Sequence, residues 1–168
     1  MKNIFALVIA LFILLITSGC TNTQTGLLLN ENELHSIGLT LGDWGYKISP
    51  NQPSQGMLYN TYEKAQYDID VPGHPLAGIL FIKIYAFDSE SDRDEVYSRW
   101  HHKYESPTQW EIPLEENTHG EKSYLMESYD NFVLVFTKKN YIIWIEGEEE
   151  IGEDKIRAIG QLVENKIK

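Results

Sequence analysis

Residues 122–146, KSYLMESYDNFVLVFTKKNYIIWIE, decide the fold. Three apolar-rich runs, Lys122 to Ser128, Phe132 to Thr137 and Tyr141 to Glu146, are separated by Asp130-Asn131 and by Lys139-Asn140. β-Branched and aromatic residues dominate the runs, and the separators are short and polar, which is the signature of strands joined by tight hairpins. Asn tolerates the positive φ that such turns require, so the turn conformation is expected on the asparagines. The stretch therefore predicts an antiparallel meander.

Moving towards the N-terminus, Ile79 to Phe87 is apolar on both faces over its first half and predicts a central strand. Tyr67, Ile69 and Val71 alternate with Gln66, Asp68 and Asp70, the period of a half-buried strand. Trp44 to Ser49 alternates large and polar residues ahead of a loop rich in proline and glycine at 50–56. Two helices complete the pattern. One starts near Asp88 to Asp92, where hydroxyls and carboxylates can cap free N–H groups, and carries Val96, Tyr97, Trp100 and Tyr104 on one face. The other runs from about Glu153 to Lys166, with Ile156, Ile159, Val163 and Ile167 in one stripe and Leu162 beside it. The expected class is α+β, a mainly antiparallel sheet with two helices packed on one face.

The chain has 168 residues, a formal net charge of −11 and one cysteine, Cys20. So acidic a chain is unsuited to nucleic acid, whose binding rests on neutralising phosphates with Lys and Arg. Anionic lipid headgroups repel it as well. With a single cysteine there is no internal disulfide, and the fold must rest on its core.

The first twenty residues address the chain. Lys2 precedes an apolar run from Ile4 to Ile16, then Thr17-Ser18-Gly19-Cys20. This is the order of a secretory signal peptide, and Ser18-Gly19-Cys20 resembles the lipobox of prokaryotic membrane lipoproteins. Thr17 stands where leucine is usual in that family. The resemblance implies that residues 1–19 are removed and that Cys20 becomes the lipidated first residue. Two alternatives stand beside it: an uncleaved transmembrane anchor, for which Ile4 to Ile16 is short against about 20 apolar residues, and a soluble secreted protein with a free thiol. On the lipoprotein reading the organisation is a signal peptide over 1–19, a lipidated cysteine and tether over 20–38, and one extracytoplasmic α+β domain over 39–168. Leu27, Leu28 and Leu29 either open the domain or stay in the tether.

Asp43 to Tyr46, Gly120 to Ser123, Val135 to Ile143 and the closing helix resemble landmarks of small extracytoplasmic lipoprotein domains with Mog1/PsbP-like architecture. That resemblance implies a fold and no activity.

Residue chemistry offers few sites. Adjacent His101 and His102 are the metal candidates, but neighbours on a helix point about 100° apart and do not chelate together readily. Isolated His35, His74 and His119 carry no motif. Asp68 and Asp70 share a strand face, and the acidic run from Glu146 to Asp154 lacks the spacing of a calcium loop. There is no nucleophile elbow and no phosphate loop. Trp44, Tyr46 and Trp110 are the candidate ligand-binding aromatics, with Trp110 behind a loop-like Pro107-Thr108-Gln109. No catalytic residue and no cofactor is assigned.

The reading is a lipid-anchored, non-enzymatic interaction or ligand-binding module on the outer side of the cell membrane. It is held there by lipid on Cys20, and its partner is an envelope protein or a small ligand. The alternative is a membrane-tethered enzyme or metal-binding protein whose site forms only in the fold.

Overall fold

Hairpins organise the whole molecule in the computed structural model, which describes residues 26–51, 58–73, 78–105 and 111–168. A short helix α1 (Glu31–Ser36) leads into β1 (Thr40–Asn51), β2 (Tyr59–Asp70) and β3 (Gly78–Phe87). Helix α2 (Glu90–Glu105) follows, then β4 (Glu111–Glu116), β5 (Lys122–Ser128), β6 (Asn131–Lys138) and β7 (Tyr141–Glu148). A 3₁₀ turn (Glu149–Ile151) hands the chain to helix α3 (Glu153–Lys166). The strands form one seven-stranded sheet in the order β1-β2-β3-β7-β6-β5-β4, and every neighbouring pair is antiparallel. The central strands are the most apolar ones, and the polar strands β1 and β4 lie at the edges, as burial requires.

The two long helices lie on opposite faces of this sheet, which corrects the expectation that both share one. Register explains the split. Ile48, Ala65, Ile82, Ile145, Leu134 and Leu125 form one cross-sheet row, and this face meets Ile156, Ile159 and Val163 of α3. The neighbouring row is Ser49, Lys64, Lys83, Trp144, Val135 and Tyr124. It is polar towards β1 and apolar towards β5. Tyr97, with Val96 and Trp100, closes the apolar half from α2. A sheet apolar on both faces needs cover on both.

The packed domain begins by Leu27, ahead of the Leu39 boundary expected from the pattern. Leu27, Leu28 and Leu29 are buried, and Leu34 of α1 is fully buried against the same face as α3. Asn30 caps α1 through a capping box with Glu33. The Lys166 ammonium at the end of α3 donates to the Leu28 carbonyl at 2.7 Å and to Glu33 at 2.9 Å. The segment is thus strapped to the closing helix.

The tight turns depart from expectation in detail. Ser128 pairs with Asn131 and Lys138 with Tyr141, leaving two-residue loops. Positive φ falls on the first loop residues, Tyr129 (φ 55) and Lys139 (φ 50), rather than on the asparagines. Asn131 is already in its strand, and the Asn140 amide is occupied in donating to the Phe87 carbonyl at 2.7 Å. Among the described residues no helix is long and apolar enough to cross a membrane.

Candidate functional site: a histidine cleft beside helix α2

Helix α2 starts where Ser89 accepts from the Asp92 N–H at 3.1 Å, which satisfies a free donor of the first turn. Its aromatic face turns to the sheet, and His101, one turn beyond Tyr97, falls on the flank facing β4 and β5. The imidazole stacks on the Tyr97 ring (5.7 Å, 21°) and meets Tyr124 edge-on at 5.6 Å. Both tyrosines are buried. Burial is the main cause that pushes the Tyr124 phenol well above its ordinary pKa, assisted by Tyr97 and Glu111, so it is a neutral wall.

The two ring nitrogens face carboxylates from different elements. Nδ1 lies 3.5 Å from Glu105 of α2 and Nε2 lies 3.6 Å from Glu116 of β4. Each ring nitrogen thus has a carboxylate of a different element beside it. Tyr97, Ser98, His101, Glu105, Glu116, Asn117 and Lys122 line an open cleft of about 300 Å³. It is mainly polar and carries two carboxylates, one imidazole and the Lys122 ammonium at its rim.

The wall that presents Glu116, Asn117 and Lys122 is held by Gly120-Glu121-Lys122-Ser123. Ser123 Oγ accepts from the backbone N–H groups of Thr118 at 2.8 Å and His119 at 3.0 Å. His119 Nε2 donates to the Arg157 carbonyl at 3.0 Å, so in the neutral ring Nδ1 accepts from the Thr118 hydroxyl. Glu121 accepts from the Lys139 N–H at 2.9 Å and from Arg93 at 2.8 Å. The Lys139 bond first, then Arg93, keeps the Glu121 carboxyl below its ordinary pKa.

Arg93 is buried. Its guanidinium also pairs with Asp94 at 2.6 Å and donates to the Lys139 carbonyl. Burial alone would raise the Asp94 pKa, but Lys122 and Arg93 bring it below the usual value. The network ties α2 to the β6–β7 turn, holding both peptide groups of Lys139 in their left-handed conformation.

Other sequence candidates are dispersed. His102 is exposed and lies 3.9 Å from Glu105. Among the described residues no three His, Cys, Asp or Glu side chains are arranged to hold a metal ion. Trp44 and Tyr46 lie exposed on β1, the opposite edge of the sheet from β4, so the aromatics and histidines are not brought together. Asp68 accepts from the Trp44 N–H, while Glu146 pairs with Lys83 at 2.8 Å and Glu148 accepts from the Ile79 N–H at 2.9 Å. Trp100 and Trp144 pack edge-to-face at 5.7 Å within the second core. Cys20, His74 and Trp110 lie outside the described residues. The cleft partners Glu105 and Glu116 carry no motif. The spacing of Tyr97, His101 and Glu105 at successive turns is the one local signal that marks half of the cleft.

No family model matches the chain, and no curated protein matches it. The extracellular domain of PknH from Mycobacterium tuberculosis is similar in structure, with a TM-score of 0.60 at 9% identity, over 88% of this chain and 96% of that one. A GTP binding regulator from Thermotoga maritima aligns with a TM-score of 0.45 at 12% identity, over 80% of this chain and 84% of its own. The first is a likeness of fold, neither names the Mog1/PsbP-like family, and the second carries no argument.

Proposed function

We propose that this chain is a lipid-anchored module working outside the cytoplasm, and that it binds a small organic cation in the His101 cleft. The anchor rests on Ser18-Gly19-Cys20 behind an apolar run, and the fold is one that an extracellular domain also uses. The single observation that carries the binding reading is His101 lying between Glu105 and Glu116 over an aromatic floor. Both carboxylates are partly exposed and stand 3.5 and 3.6 Å from the ring, so an incoming ammonium can pair with them from the open side of the cleft.

Two expected results test this. In its native cell the Cys20→Ser protein should stay uncleaved after Gly19 and take up no labelled fatty acid, whereas the wild type is processed and labelled. Unaltered processing, with an unlipidated wild type, would overturn the anchor. In an NMR titration with alkylammonium and guanidinium compounds, shifts should centre on His101, Glu105 and Glu116. Glu116→Gln should weaken binding about fivefold, near 1 kcal/mol for a partly exposed charge pair. Equal affinity in the variant counts against the cleft.

A membrane-tethered enzyme is the second reading, favoured by Ser98 lining the same cleft as His101. Covalent labelling of Ser98 by a fluorophosphonate, abolished in His101→Ala, would establish that reading over the first.

A further inference from the structure

At the far edge of the sheet, β1 breaks register between Leu41 and Tyr46. Leu41 is opposite Ile69 and Tyr46 opposite Tyr67, so Gly42 to Gly45 all stand against Asp68 alone. The Asp68 carboxylate accepts from the Trp44 N–H at 3.0 Å. A Cβ at Gly42 would lie 2.4 Å from Asp68 Oδ2 and would push that carboxylate from the Trp44 N–H, and Gly45 takes φ +62. The product of these specific residues is Trp44 held out from the edge, 89% exposed. Bulges re-aim side chains and are built features rather than defects.

The bulge sits beside the point where the chain enters the domain. The Tyr46 ring stacks on Tyr67 at 5.6 Å, and the Tyr67 hydroxyl bonds both backbone groups of Leu29, donating at 2.9 Å and accepting at 3.1 Å. Between Cys20 and Leu27 lie the residues Thr21 to Gly26, which fully extended reach about 20 Å at 3.3–3.6 Å per residue. A lipid on Cys20 therefore keeps this corner of the domain within reach of the bilayer surface. An indole has an apolar body and an N–H donor, the combination that favours the lipid–water interface. The acidic chain has no electrostatic attraction to anionic headgroups.

We propose that the β1 bulge is a membrane-contact element, with Trp44 inserting into the interface of the bilayer to which Cys20 is anchored. The inference rests on the lipid-anchor reading. It fixes the orientation of the domain, β1 edge down, with the His101 cleft at the opposite edge of the sheet.

The mature protein, extracted from its cell membrane and reconstituted in phosphatidylcholine vesicles with shallowly brominated acyl chains, tests the proposal through its tryptophan emission. The expected result is partial quenching in the wild type and loss of that quenching in Trp44→Phe, with unchanged far-UV circular dichroism. Equal quenching in Trp44→Phe overturns the proposal, as does an unquenched wild type. The unquenched case is the outcome expected if Trp44 meets a protein partner instead. Mass spectrometry of the same sample separates the two readings: an unquenched chain with lipid on Cys20 removes the contact element alone, and a chain without lipid removes both.

Discussion

Replacing Ile159 by aspartate is expected to unfold the domain. Ile159 is fully buried in the larger core, with Ile156 and Val163 beside it on the face of α3 that meets β6 and β7. The substitution removes apolar contacts and places a carboxylate inside the apolar cluster. A buried unpaired charge combined with lost packing costs about 5 kcal/mol or more, comparable to the whole stability of a domain this size. Far-UV circular dichroism with a urea titration reads the effect. Gln161 on the exposed side of the same helix supplies the control, and Gln161→Ala should cost less than about 0.5 kcal/mol. An unshifted unfolding curve for Ile159→Asp, with a lost binding partner, would make α3 an interaction helix and the core assignment wrong.

Gly120→Ala is expected to be nearly as damaging for a different reason. Gly120 sits at φ +59, and a Cβ there would lie 2.1 Å from the Thr137 carbonyl oxygen. That oxygen accepts from the Glu121 N–H at 2.8 Å, so relief by backbone movement breaks a bond between the turn and β6. A left-handed position and a backbone clash together should cost about 2–4 kcal/mol. The same shift displaces Glu121 from Lys139 and Arg93, and Glu116 from His101. Unfolding should therefore occur at lower urea, and the His101 ring resonances should move in the folded protein. A variant with wild-type stability would mean that the Gly120 turn is not held as described.

Local chemistry made some parts of this structure legible and left others hidden. The β5–β7 meander and α3 were readable because their patterns are continuous and their partners adjacent in sequence. Strand β4 was not, since Glu111 to Glu116 is almost wholly charged or exposed and is a strand only through pairing with β5. Trp44 opens an alternating run and reads from sequence as a candidate ligand-binding aromatic, with nothing local to say how it is presented. Its ejection depends on Asp68, distant in sequence, whose carboxylate takes the Trp44 N–H. The candidate cleft was half legible: the Tyr97, His101 and Glu105 spacing belongs to one helix, while Glu116 arrives from an edge strand.

The sequence by itself determined the α+β class, the hairpin connections, the closing helix with its buried stripe, and the absence of any internal disulfide. Each depends on residues close in the chain or on composition, where periodicity and turn chemistry act without reference to distant partners. Only the tertiary structure decided that the two long helices cover opposite faces, that Leu27, Leu28, Leu29 and Leu34 belong to the core, and that His101 stands between two carboxylates. Those outcomes depend on strand register. Register decides which of two alternating rows is apolar at each end of the sheet, and it is set by pairings across the whole molecule.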